Sequence, residues 1–366
     1  VSVKSIIGKI DNLNISEVHF DSRKVSKGDL FVAINGTQVN GHDFIAKATK
    51  QGAVAIILES LPQDLSDDMC YILVADSSYS LSIIAENYYD SPSKKIKLIG
   101  VTGTNGKTTI VTLLYNLFSN MGYLAGMLST IENKIGKRTI KSTHTTPDAI
   151  SINKMIAEMI EEGCEYCFME VSSHSLDQNR VSRLKFDGAV FTNISHEHLD
   201  YHNSFKEYIY TKKKLFDSLD YSSFAITNSD DKNGNIMLLN TKAKRITYAI
   251  RSISDYQCKI LDSNIDYTHL SFNNKEIHIN LIGEFNSYNF LAIYAVAHQL
   301  GINEDKALVN ISQLHSADGR FQTIRNLENV TGIVDYAHTP DAYTNVLSTI
   351  NKIRNNKGNL IVVFGC

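Results

Sequence analysis

Short apolar runs alternate with longer mixed stretches along most of the chain. Apolar runs bounded by turn residues predict buried strands, and several of the stretches between them predict helices. The clearest helix extends from Lys107 to about Met121, directly after a glycine-containing loop. Strands that alternate with helices indicate an α/β fold with a mostly parallel sheet and helices on both faces. The predicted strands are residues 30–34, 53–58, 96–101, 166–171 and 189–192.

Residues 246–282 have a different pattern from the region before them. Short runs of alternating apolar and polar residues occur at 268–272 and 277–279. Such alternation predicts antiparallel strands. A helix is predicted after them, at about residues 287–300.

A third unit begins near residue 330. Residues 332–335 predict a strand, residues 340–353 a helix and residues 360–364 a second strand. One βαβ unit cannot bury both faces of a parallel sheet. We therefore interpret these residues as the incomplete start of a third domain; the alternative is that they complete the central domain.

The chain length and one polar joint indicate how the domains are divided. A chain of 366 residues is expected to form two or three domains, at roughly 150 residues each. Residues 90–93 form a polar joint that contains proline, which predicts a boundary. The predicted domains are residues 1–92, 93–328 and 329–366.

Composition excludes some classes of protein. A net charge of −3 gives no support for nucleic acid as the main partner. No apolar run is long enough to span a bilayer, and the N-terminus does not have the pattern of a signal peptide. Five scattered cysteines favour a reducing cytoplasm. Cys164 and Cys167 form a single C-x-x-C pair, for which structural thiols are favoured over a metal or redox site because a zinc site needs more ligands.

The strongest chemical motif is residues 100–109, which read GVTGTNGKTT between a strand and a helix. In that setting glycines turn backbone N–H groups toward phosphate oxygens, and the helix N-terminus adds positive potential. Lys107 would then reach the β and γ phosphates, and Thr108 would offer its hydroxyl to Mg²⁺. The Walker A spacing requires glycine where this chain has Val101, so a glycine-rich turn with a surface lysine is the alternative. The loop alone does not exclude GTPases or kinases.

Acidic, histidine and lysine side chains follow the later strands. Glu170 ends an apolar strand, where a carboxylate is well placed to hold Mg²⁺, or alternatively to cap a helix. Residues 192–202 contain three histidines and two acids at spacings that do not match a zinc signature, which favours a second cation site with His198 as a ligand. Residues 212–214 are three consecutive lysines, a run that is usually a solvated helix face.

These motifs together resemble the Mur ligases, and more closely the MurE type, the UDP-N-acetylmuramoyl-tripeptide synthetases. The resemblance is carried by residues 103–109, 170–181 and 193–202 and continues in order along nearly the whole chain. Supporting stretches are residues 21–33, 145–148, 318–321 and 335–342.

The resemblance implies a three-domain α/β ligase with a central P-loop ATPase domain, dependent on ATP and Mg²⁺. Such an enzyme converts a substrate carboxylate into an acyl phosphate, which an amino group then attacks. Its partners would be UDP-MurNAc-L-Ala-D-Glu and a free amino acid, meso-diaminopimelate or L-lysine. Its role would be in peptidoglycan synthesis, and so in cell-wall growth, cell shape and division. A cytoplasmic monomer is expected.

The resemblance also implies roles for individual residues. Lys107, Lys212 and His198 would be catalytic. Thr108, Glu170, His198 and Lys212 would hold the metal, with Lys212 carbamylated to N6-carboxylysine; its neighbours Lys213 and Lys214 leave this assignment open by a position or two. The residues expected to bind ATP are Gly103, Thr104, Asn105, Gly106, Lys107, Thr108, Thr109, Asn286, Arg320, Asp335 and His338.

The UDP-sugar substrate would contact residues of the first two domains. Thr145 and Thr146 precede Pro147, which is typical of a helix start, and their hydroxyls and nearby N–H groups suit a carboxylate or phosphate. The residues expected to bind this substrate are Ser22, Thr37, Gln38, Val39, Thr145, Thr146, Ser172, Gln178 and Arg180.

The chain departs from the family pattern at two places. Glu197 stands where the family usually has aspartate, which is expected to adjust the metal site without abolishing it. The family's amino-acid pocket lies in the C-terminal domain, beyond residue 366, so this chain alone is expected to bind the UDP substrate with little ligation. The amino acid that is added therefore stays open between the two candidates.

Two related classes of protein remain as alternatives. Folylpolyglutamate synthetases share the architecture, but their loop continues as Gly-Lys-Gly-Ser, whereas this chain has threonine at 108 and 109. Mur-like nucleotide-binding proteins that are not ligases often carry a zinc insertion with four cysteines, which this sequence lacks.

Overall fold

A computed structural model of the chain describes residues 3–9, 13–36, 39–195, 197, 201–202, 204–325, 330–355 and 357–365. The chain divides into two compact units. The first comprises Val1–Pro92, Pro147–Ala157 and Asp177–Leu184, and the second comprises Ser93–Thr146, Glu158–Leu176 and Lys185–Cys366.

The first unit is built around a five-stranded sheet in the order β1-β5-β4-β3-β2. The strands β2 to β5 are parallel neighbours, and β1 joins the edge of the sheet antiparallel to β5. Strands β3 and β4 are buried along their whole length, which explains their unbroken apolar sequences. The elements are β1 (Val3–Gly8), β2 (Val18–His19), β3 (Leu30–Val32), α1 (Ile45–Lys50), β4 (Ala55–Leu58), β5 (Cys70–Val74) and α2 (Ser77–Tyr88).

After residue 92 the described part of the chain forms a larger sheet, a hairpin and eight further helices, of which α4 begins in the first unit. The strands are β6 (Lys97–Thr102), β7 (Ala125–Leu128), β8 (Glu132–Ile135), β9 (Arg138–Lys141), β10 (Tyr166–Glu170), β11 (Gly188–Phe191), β12 (Phe224–Asn228), β13 (Lys244–Ala249), β14 (Tyr256–Ser263), β15 (Thr268–Phe272), β16 (Lys275–Ile279), β17 (Gln322–Arg325) and β18 (Thr331–Val334). The helices are α3 (Lys107–Asn120), α4 (Ala149–Glu161), α5 (Ser173–Asp177), α6 (Phe205–Asp217), α7 (Gly234–Leu238), α8 (Glu284–Gln299), α9 (Glu304–Ser312) and α10 (Pro340–Arg354).

The large sheet has eleven strands in the order β16-β15-β14-β13-β12-β11-β6-β10-β7-β8-β9. Its seven central strands, from β14 to β7, are parallel neighbours, and antiparallel strands extend both edges. Strand β6 lies at the middle, between β10 and β11. The carboxyl ends of these three strands therefore open at one edge of the sheet, where parallel α/β proteins place their ligands.

Two apolar helices cover the sheet near this edge. Helix α3 packs against β10, β7 and α8, and α8 in turn packs against β12, β13 and β14. Nearly every residue of α8 from Phe290 to Ala297 is buried, so this helix is apolar on all sides and belongs to the core. The loop between β6 and α3 is thus held on a rigid base.

Most predicted elements of the chain are confirmed, including the mixed α/β class and the antiparallel strands at 268–279. The predicted strand at 360–364 is wrong: these residues form no strand, and Ile361 and Val363 are 84% and 92% exposed. A strand exists only through its ladder of hydrogen bonds, and the described residues offer this segment no pairing neighbour. The predicted strand at 332–335 forms as β18, but it pairs antiparallel with the unpredicted β17 and not within a βαβ unit.

The division into compact units differs in detail from the predicted domains. The first segment of the first unit ends at Pro92, after Asp90 and Ser91 adopt positive φ angles of 57° and 50°. Residues from 330 onward are grouped with the second unit. The predicted boundary at 328/329 lies outside the described residues. Among the described helices, none combines the length and apolar character of a membrane span.

Candidate functional site

The loop after β6 closes tightly over the start of α3. Gly106 has a φ of 89°, and a Cβ on Gly103 would lie 1.9 Å from the Thr192 hydroxyl oxygen, so both positions require glycine. The Lys107 ammonium donates hydrogen bonds of 2.8 Å to the carbonyl oxygens of Gly103 and Thr104. The lysine therefore folds back over the loop and places its charge at the carboxyl end of the sheet.

The segment that follows β11 holds this loop in place. The Thr104 amide donates to the Asn193 carbonyl at 2.8 Å, and the Asn105 amide donates to the Asn193 side-chain oxygen at 3.0 Å. The Thr192 hydroxyl donates to the Asn105 carbonyl at 2.6 Å. The Ser195 amide donates to the Thr104 hydroxyl at 3.1 Å. The shape of the loop thus depends on two neighbouring strand ends.

A buried carboxylate faces the loop from the end of β10. Glu170 accepts hydrogen bonds from the Thr130 amide at 2.7 Å and the Thr130 hydroxyl at 3.1 Å, and also from the Thr108 side chain. Burial raises the pKa of the Glu170 carboxyl, although the Lys107 ammonium opposes the rise. Burial likewise lowers the pKa of Lys107, and Glu170 opposes that change. Arg320 donates to the Thr108 hydroxyl at 3.0 Å. The Thr108 side chain therefore contacts both the Arg320 guanidinium and the Glu170 carboxylate.

This arrangement fits a small hard cation. Thr108 and Glu170 offer hydroxyl and carboxylate oxygens, the donors that Mg²⁺ prefers, and Mg²⁺ usually takes only one or two protein carboxylates. No cluster of three or more His, Cys, Asp or Glu side chains suited to a metal occurs within the described part of the chain. The predicted ligand His198 lies outside the described residues.

The three consecutive lysines of α6 occupy different environments. Lys212 is 1% exposed, and its amine donates to the Gly103 carbonyl at 3.1 Å. Lys213 is also buried but forms an ion pair with Asp217, whereas Lys214 is exposed. Burial and the nearby Lys107 charge lower the pKa of Lys212 well below its ordinary value, and only an uncharged amine is nucleophilic. Lys212 is therefore the lysine of the run that reaches the phosphate loop.

A cavity of about 570 Å³ adjoins the loop. Seven of the residues predicted to bind ATP line this cavity; they are Asn105, Gly106, Thr109, Asn286, Arg320, Asp335 and His338. The other four, Gly103, Thr104, Lys107 and Thr108, lie in the same loop and the first turn of α3 without lining the cavity.

Arg320 and His338, two of the residues predicted to bind ATP, each contact a residue from another part of the chain. The Arg320 guanidinium lies 4.6 Å from the centre of the Tyr336 ring, and its buried Nε has no hydrogen-bond partner among the described residues. The His338 ring nitrogen Nε2 lies 3.3 Å from the Glu197 carboxylate, the position where the chain departs from the family pattern. Asn105 donates to Asp341 at 3.2 Å. These contacts bring α10 and the segment between β18 and α10 near the phosphate loop.

Asn286 and Asp335 have their polar atoms engaged within the protein. The Asn286 side chain donates to the Ile282 carbonyl at 2.9 Å and accepts from Asn289 at 2.9 Å. The Asp335 carboxylate accepts from the amides of Phe321 and Ala337 at 2.7 and 2.8 Å. Both residues are held rigidly at the wall of the cavity.

Sequence reasoning missed the acidic wall of the cavity. Asp230 accepts hydrogen bonds of 2.8–2.9 Å from the amides of Ile250, Arg251 and Ser252 and from the Tyr288 hydroxyl. Burial tends to raise the pKa of Asp230, but these donors outweigh burial and hold it well below its ordinary value. The signal in the sequence was the pair of aspartates at 230 and 231, directly after the apolar strand β12.

Replacing Asp230 with asparagine is expected to lower the free energy of unfolding by about 2–4 kcal/mol at pH 7, because one carboxylate oxygen becomes an NH₂ group that faces amide donors. Since the folded pKa is lowered, the stabilisation exists above the unfolded pKa of about 4 and is lost as pH falls below it. Urea unfolding of both proteins at pH 7 and at pH 3.5 measures this. A difference between the two proteins that does not shrink at the lower pH would contradict the assignment.

The residues predicted to bind the UDP substrate fall in both compact units. In the second unit, Thr145, Thr146 and Ser172 lie near Glu170: the Thr145 hydroxyl oxygen lies 3.1 Å from that of Thr130, and the Thr146 hydroxyl donates to the Glu170 backbone carbonyl at 2.8 Å. The Ser172 amide donates to the Thr146 hydroxyl at 3.1 Å.

In the first unit, Arg180 donates to the Gln178 side-chain oxygen at 3.0 Å. Ser22 is buried and Val39 is 58% exposed. Thr37 and Gln38 lie outside the described residues.

The C-x-x-C pair lies in the interior of the second unit. Cys164 and Cys167 are buried free thiols, and burial raises the pKa of both. A raised thiol pKa disfavours the thiolate that metal binding and redox exchange need. The geometry agrees with a structural role for the pair.

Comparisons with known proteins cover almost the whole chain. Sequence profiles match for the Mur ligase family, catalytic domain, at residues 14–90, the Mur ligase middle domain at 101–297, and the Mur ligase, glutamate ligase domain at 319–366. The UDP-N-acetylmuramoyl-L-alanyl-D-glutamate–2,6-diaminopimelate ligases of Parabacteroides distasonis and Cytophaga hutchinsonii are each 48% identical. These alignments span 97% and 100% of this chain and 73% and 75% of those proteins. A solved structure of a ligase of the same name has a TM-score of 0.78 at 29% identity, over 93% of this chain and 70% of that one. The chain belongs to the Mur ligase family.

Proposed function

We propose that this protein is an ATP-dependent amide ligase that adds the third amino acid to UDP-MurNAc-L-Ala-D-Glu in peptidoglycan synthesis. The observation that carries the proposal is the phosphate loop, which Arg320 and the buried Glu170 and Lys212 contact beside a cavity of about 570 Å³. The relatives at 48% identity are 2,6-diaminopimelate ligases, which favours diaminopimelate over L-lysine.

The reaction proceeds by two substitutions. An oxygen of the substrate carboxylate attacks the γ phosphorus of ATP, ADP leaves, and an acyl phosphate forms. The amino group then attacks the carbonyl carbon, and the tetrahedral intermediate collapses to the amide as phosphate leaves and the amine loses a proton. A carboxylate is a poor electrophile, so phosphorylation supplies the leaving group, and the protein contributes mainly positioning and charge neutralisation.

The nucleotide is assigned to the cavity and the loop. Backbone amides of residues 103–109 hold the phosphates, and the Lys107 ammonium exchanges its contacts with the loop carbonyls for phosphate oxygens. Arg320 neutralises charge that develops on the transferred phosphoryl group. Asn286, Asp335 and His338 hold the nucleoside side of ATP. The support for these roles is that these residues line one cavity or lie in the loop beside it.

Thr108, Glu170, His198 and the carbamate of Lys212 would hold Mg²⁺. The cation would neutralise charge on the phosphates during transfer. The Lys212 amine attacks the carbon of CO₂, one C=O electron pair moves to oxygen, and a proton is released, leaving the carbamate N6-carboxylysine. Burial of Lys212 beside the loop, against the ion pair of Lys213 and the exposure of Lys214, supports this choice among the three.

The UDP substrate is assigned to the residues that the sequence predicts for it. Support for three of them, Thr145, Thr146 and Ser172, is that they share a hydrogen-bonded group with Thr130 and Glu170. Ser22, Gln178, Arg180 and the turn at residues 37–39 would hold the UDP-sugar. The domain division at 92/93 and 328/329, the cytoplasmic location and the monomeric state stay predictions.

The first half-reaction tests this function directly. The chain is incubated with Mg-ATP, labelled ADP and UDP-MurNAc-L-Ala-D-Glu, and the transfer of label into ATP is followed. Exchange is expected only with the UDP substrate, because reversal of acyl-phosphate formation is what returns ADP to ATP. Label transfer without the UDP substrate would indicate a contaminating kinase, and omission of Mg²⁺ gives the background.

Amino-acid specificity is read in the same mixture. Release of phosphate and formation of the UDP-tripeptide are measured with meso-diaminopimelate and with L-lysine in separate reactions. Tripeptide formation by this chain is expected to be low, and higher with diaminopimelate than with L-lysine. A folded chain that binds ATP but shows no exchange dependent on the UDP dipeptide would refute the proposed substrate.

A further inference from the structure

Tyr208 occupies an unusual position between the phosphate loop and Lys212. It lies in α6, one helical turn before Lys212, and it is fully buried. The Lys212 amine lies 4.5 Å from the centre of the Tyr208 ring. The Tyr208 hydroxyl lies 3.2 Å from the Thr104 hydroxyl, within hydrogen-bond distance. One side chain therefore contacts both the lysine and the loop.

The Thr104 hydroxyl also contacts the segment after β11. It accepts a hydrogen bond from the Ser195 amide at 3.1 Å and lies 3.5 Å from the Ser195 carbonyl oxygen. The Thr104 amide is bound to the Asn193 carbonyl. The Tyr208 hydroxyl thus joins α6 to the loop and to the segment after β11 through a single atom. Loss of this bond leaves the Lys212 contact with the Gly103 carbonyl as the other described tie between α6 and the loop.

Two further rings pack near the Tyr208 ring. The His202 ring centre lies 5.2 Å away, and the Phe205 ring centre lies 6.4 Å away. These rings pack together, and the Tyr208 ring meets the Lys212 amine in the same arrangement. The face of an aromatic ring attracts an ammonium group. The buried Tyr208 ring also keeps water from the side of Lys212 that it covers.

We propose that Tyr208 is a positioning residue with two separable tasks: its ring fixes the amine of Lys212, and its hydroxyl fixes the phosphate loop through Thr104. This inference rests on the proposed function for the part that concerns the Lys212 carbamate. The part that concerns the loop requires only that the chain binds ATP.

A double-mutant cycle tests the task assigned to the Tyr208 hydroxyl. Tyr208→Phe and Thr104→Val each remove one partner of the bond and leave the shape of the side chain nearly unchanged. Each is expected to weaken Mg-ATP binding about 3- to 10-fold, measured by calorimetry, because one buried hydrogen bond is lost. The double variant is expected to bind no more than about 3-fold more weakly than either single variant. The assignment is overturned if the losses of Mg-ATP affinity in the two single variants multiply in the double variant. It is also overturned if Tyr208→Phe binds Mg-ATP as tightly as the wild-type chain.

Tyr115→Phe is the matched control for that cycle. Tyr115 is a buried tyrosine of α3 whose hydroxyl donates to the Gly136 carbonyl at 2.9 Å, and it does not line the cavity. Its replacement removes a comparable hydrogen bond and is expected to lower the melting temperature without changing ATP affinity. An equal loss of ATP affinity in Tyr115→Phe would mean that Tyr208 acts only through general stability.

The amount of carbamate on Lys212 tests the task assigned to the Tyr208 ring. The chain is equilibrated with carbon-13 bicarbonate, and the carbamate signal is measured by NMR. Tyr208→Phe is expected to keep the signal and Tyr208→Leu to lose most of it, because only leucine removes the aromatic face. Equal signals in both variants would overturn the task assigned to the ring. If the wild-type chain itself shows no carbamate, the proposed modification of Lys212 fails, and the ATP cycle alone decides the inference on the hydroxyl.

Discussion

Replacing Lys107 with methionine is expected to lower ATP-dependent exchange by about 10³-fold or more. Methionine keeps most of the length of the side chain but lacks the charge that lies beside the loop carbonyls of Gly103 and Thr104. It also leaves the buried Glu170 carboxylate with Arg320 but without Lys107, the cation that acts on it more strongly. Exchange slows because no ammonium then neutralises the negative charge of the transferred phosphoryl group. The measurement is exchange of labelled ADP at saturating UDP substrate.

The control for Lys107→Met is Lys259→Met, at an exposed position of β14. This variant is expected to exchange label at the wild-type rate. Binding of the UDP dipeptide, measured by calorimetry without ATP, is expected to be unchanged in both variants. If Lys107→Met keeps more than a tenth of the wild-type exchange, the lysine does not stabilise the transferred phosphate, and the loop serves only to bind nucleotide.

The local chemistry of the phosphate loop could be predicted from sequence because every part of it is contiguous. Residues 100–109 carry the glycines, the lysine and the hydroxyl in one stretch, and the strand and helix on either side are strong apolar patterns. Glu170 could also be predicted, because it stands at the end of an apolar strand. In the structure this strand runs parallel to β6. The sheet order then brings the two strand ends together.

The choice among three consecutive lysines could not be made from periodicity. Neighbouring helix positions differ by about 100°, so the three lysines point in different directions, but the sequence does not say which direction faces the phosphate loop. That direction is set by residues distant in the chain, here the loop carbonyl of Gly103 against Lys212. The ion pair of Lys213 with Asp217 and the exposure of Lys214 depend on the same rotation.

Asp230 was missed because its partners are backbone amides. Its carboxylate binds three consecutive N–H groups of residues 250–252 and the Tyr288 hydroxyl, and amides carry no sequence signature. The strand predicted at 360–364 failed for a related reason. An apolar run indicates what a segment could bury, whereas a strand also needs a neighbour to pair with, and that depends on the whole fold.

The second large effect is expected at Lys212. Lys212→Met should lower exchange by about 10²-fold or more, because the carbamate oxygen donors are lost beside the metal site. Lys213→Met and Lys214→Met are the matched controls, and both should keep exchange within about 3-fold of wild type. The carbon-13 carbamate signal should vanish only in Lys212→Met. Added bicarbonate should raise the exchange rate of the wild-type chain and leave that of Lys212→Met unchanged. If Lys213→Met loses both exchange and carbamate while Lys212→Met retains them, the modified residue is Lys213, and the buried amine at Gly103 serves only to hold the loop.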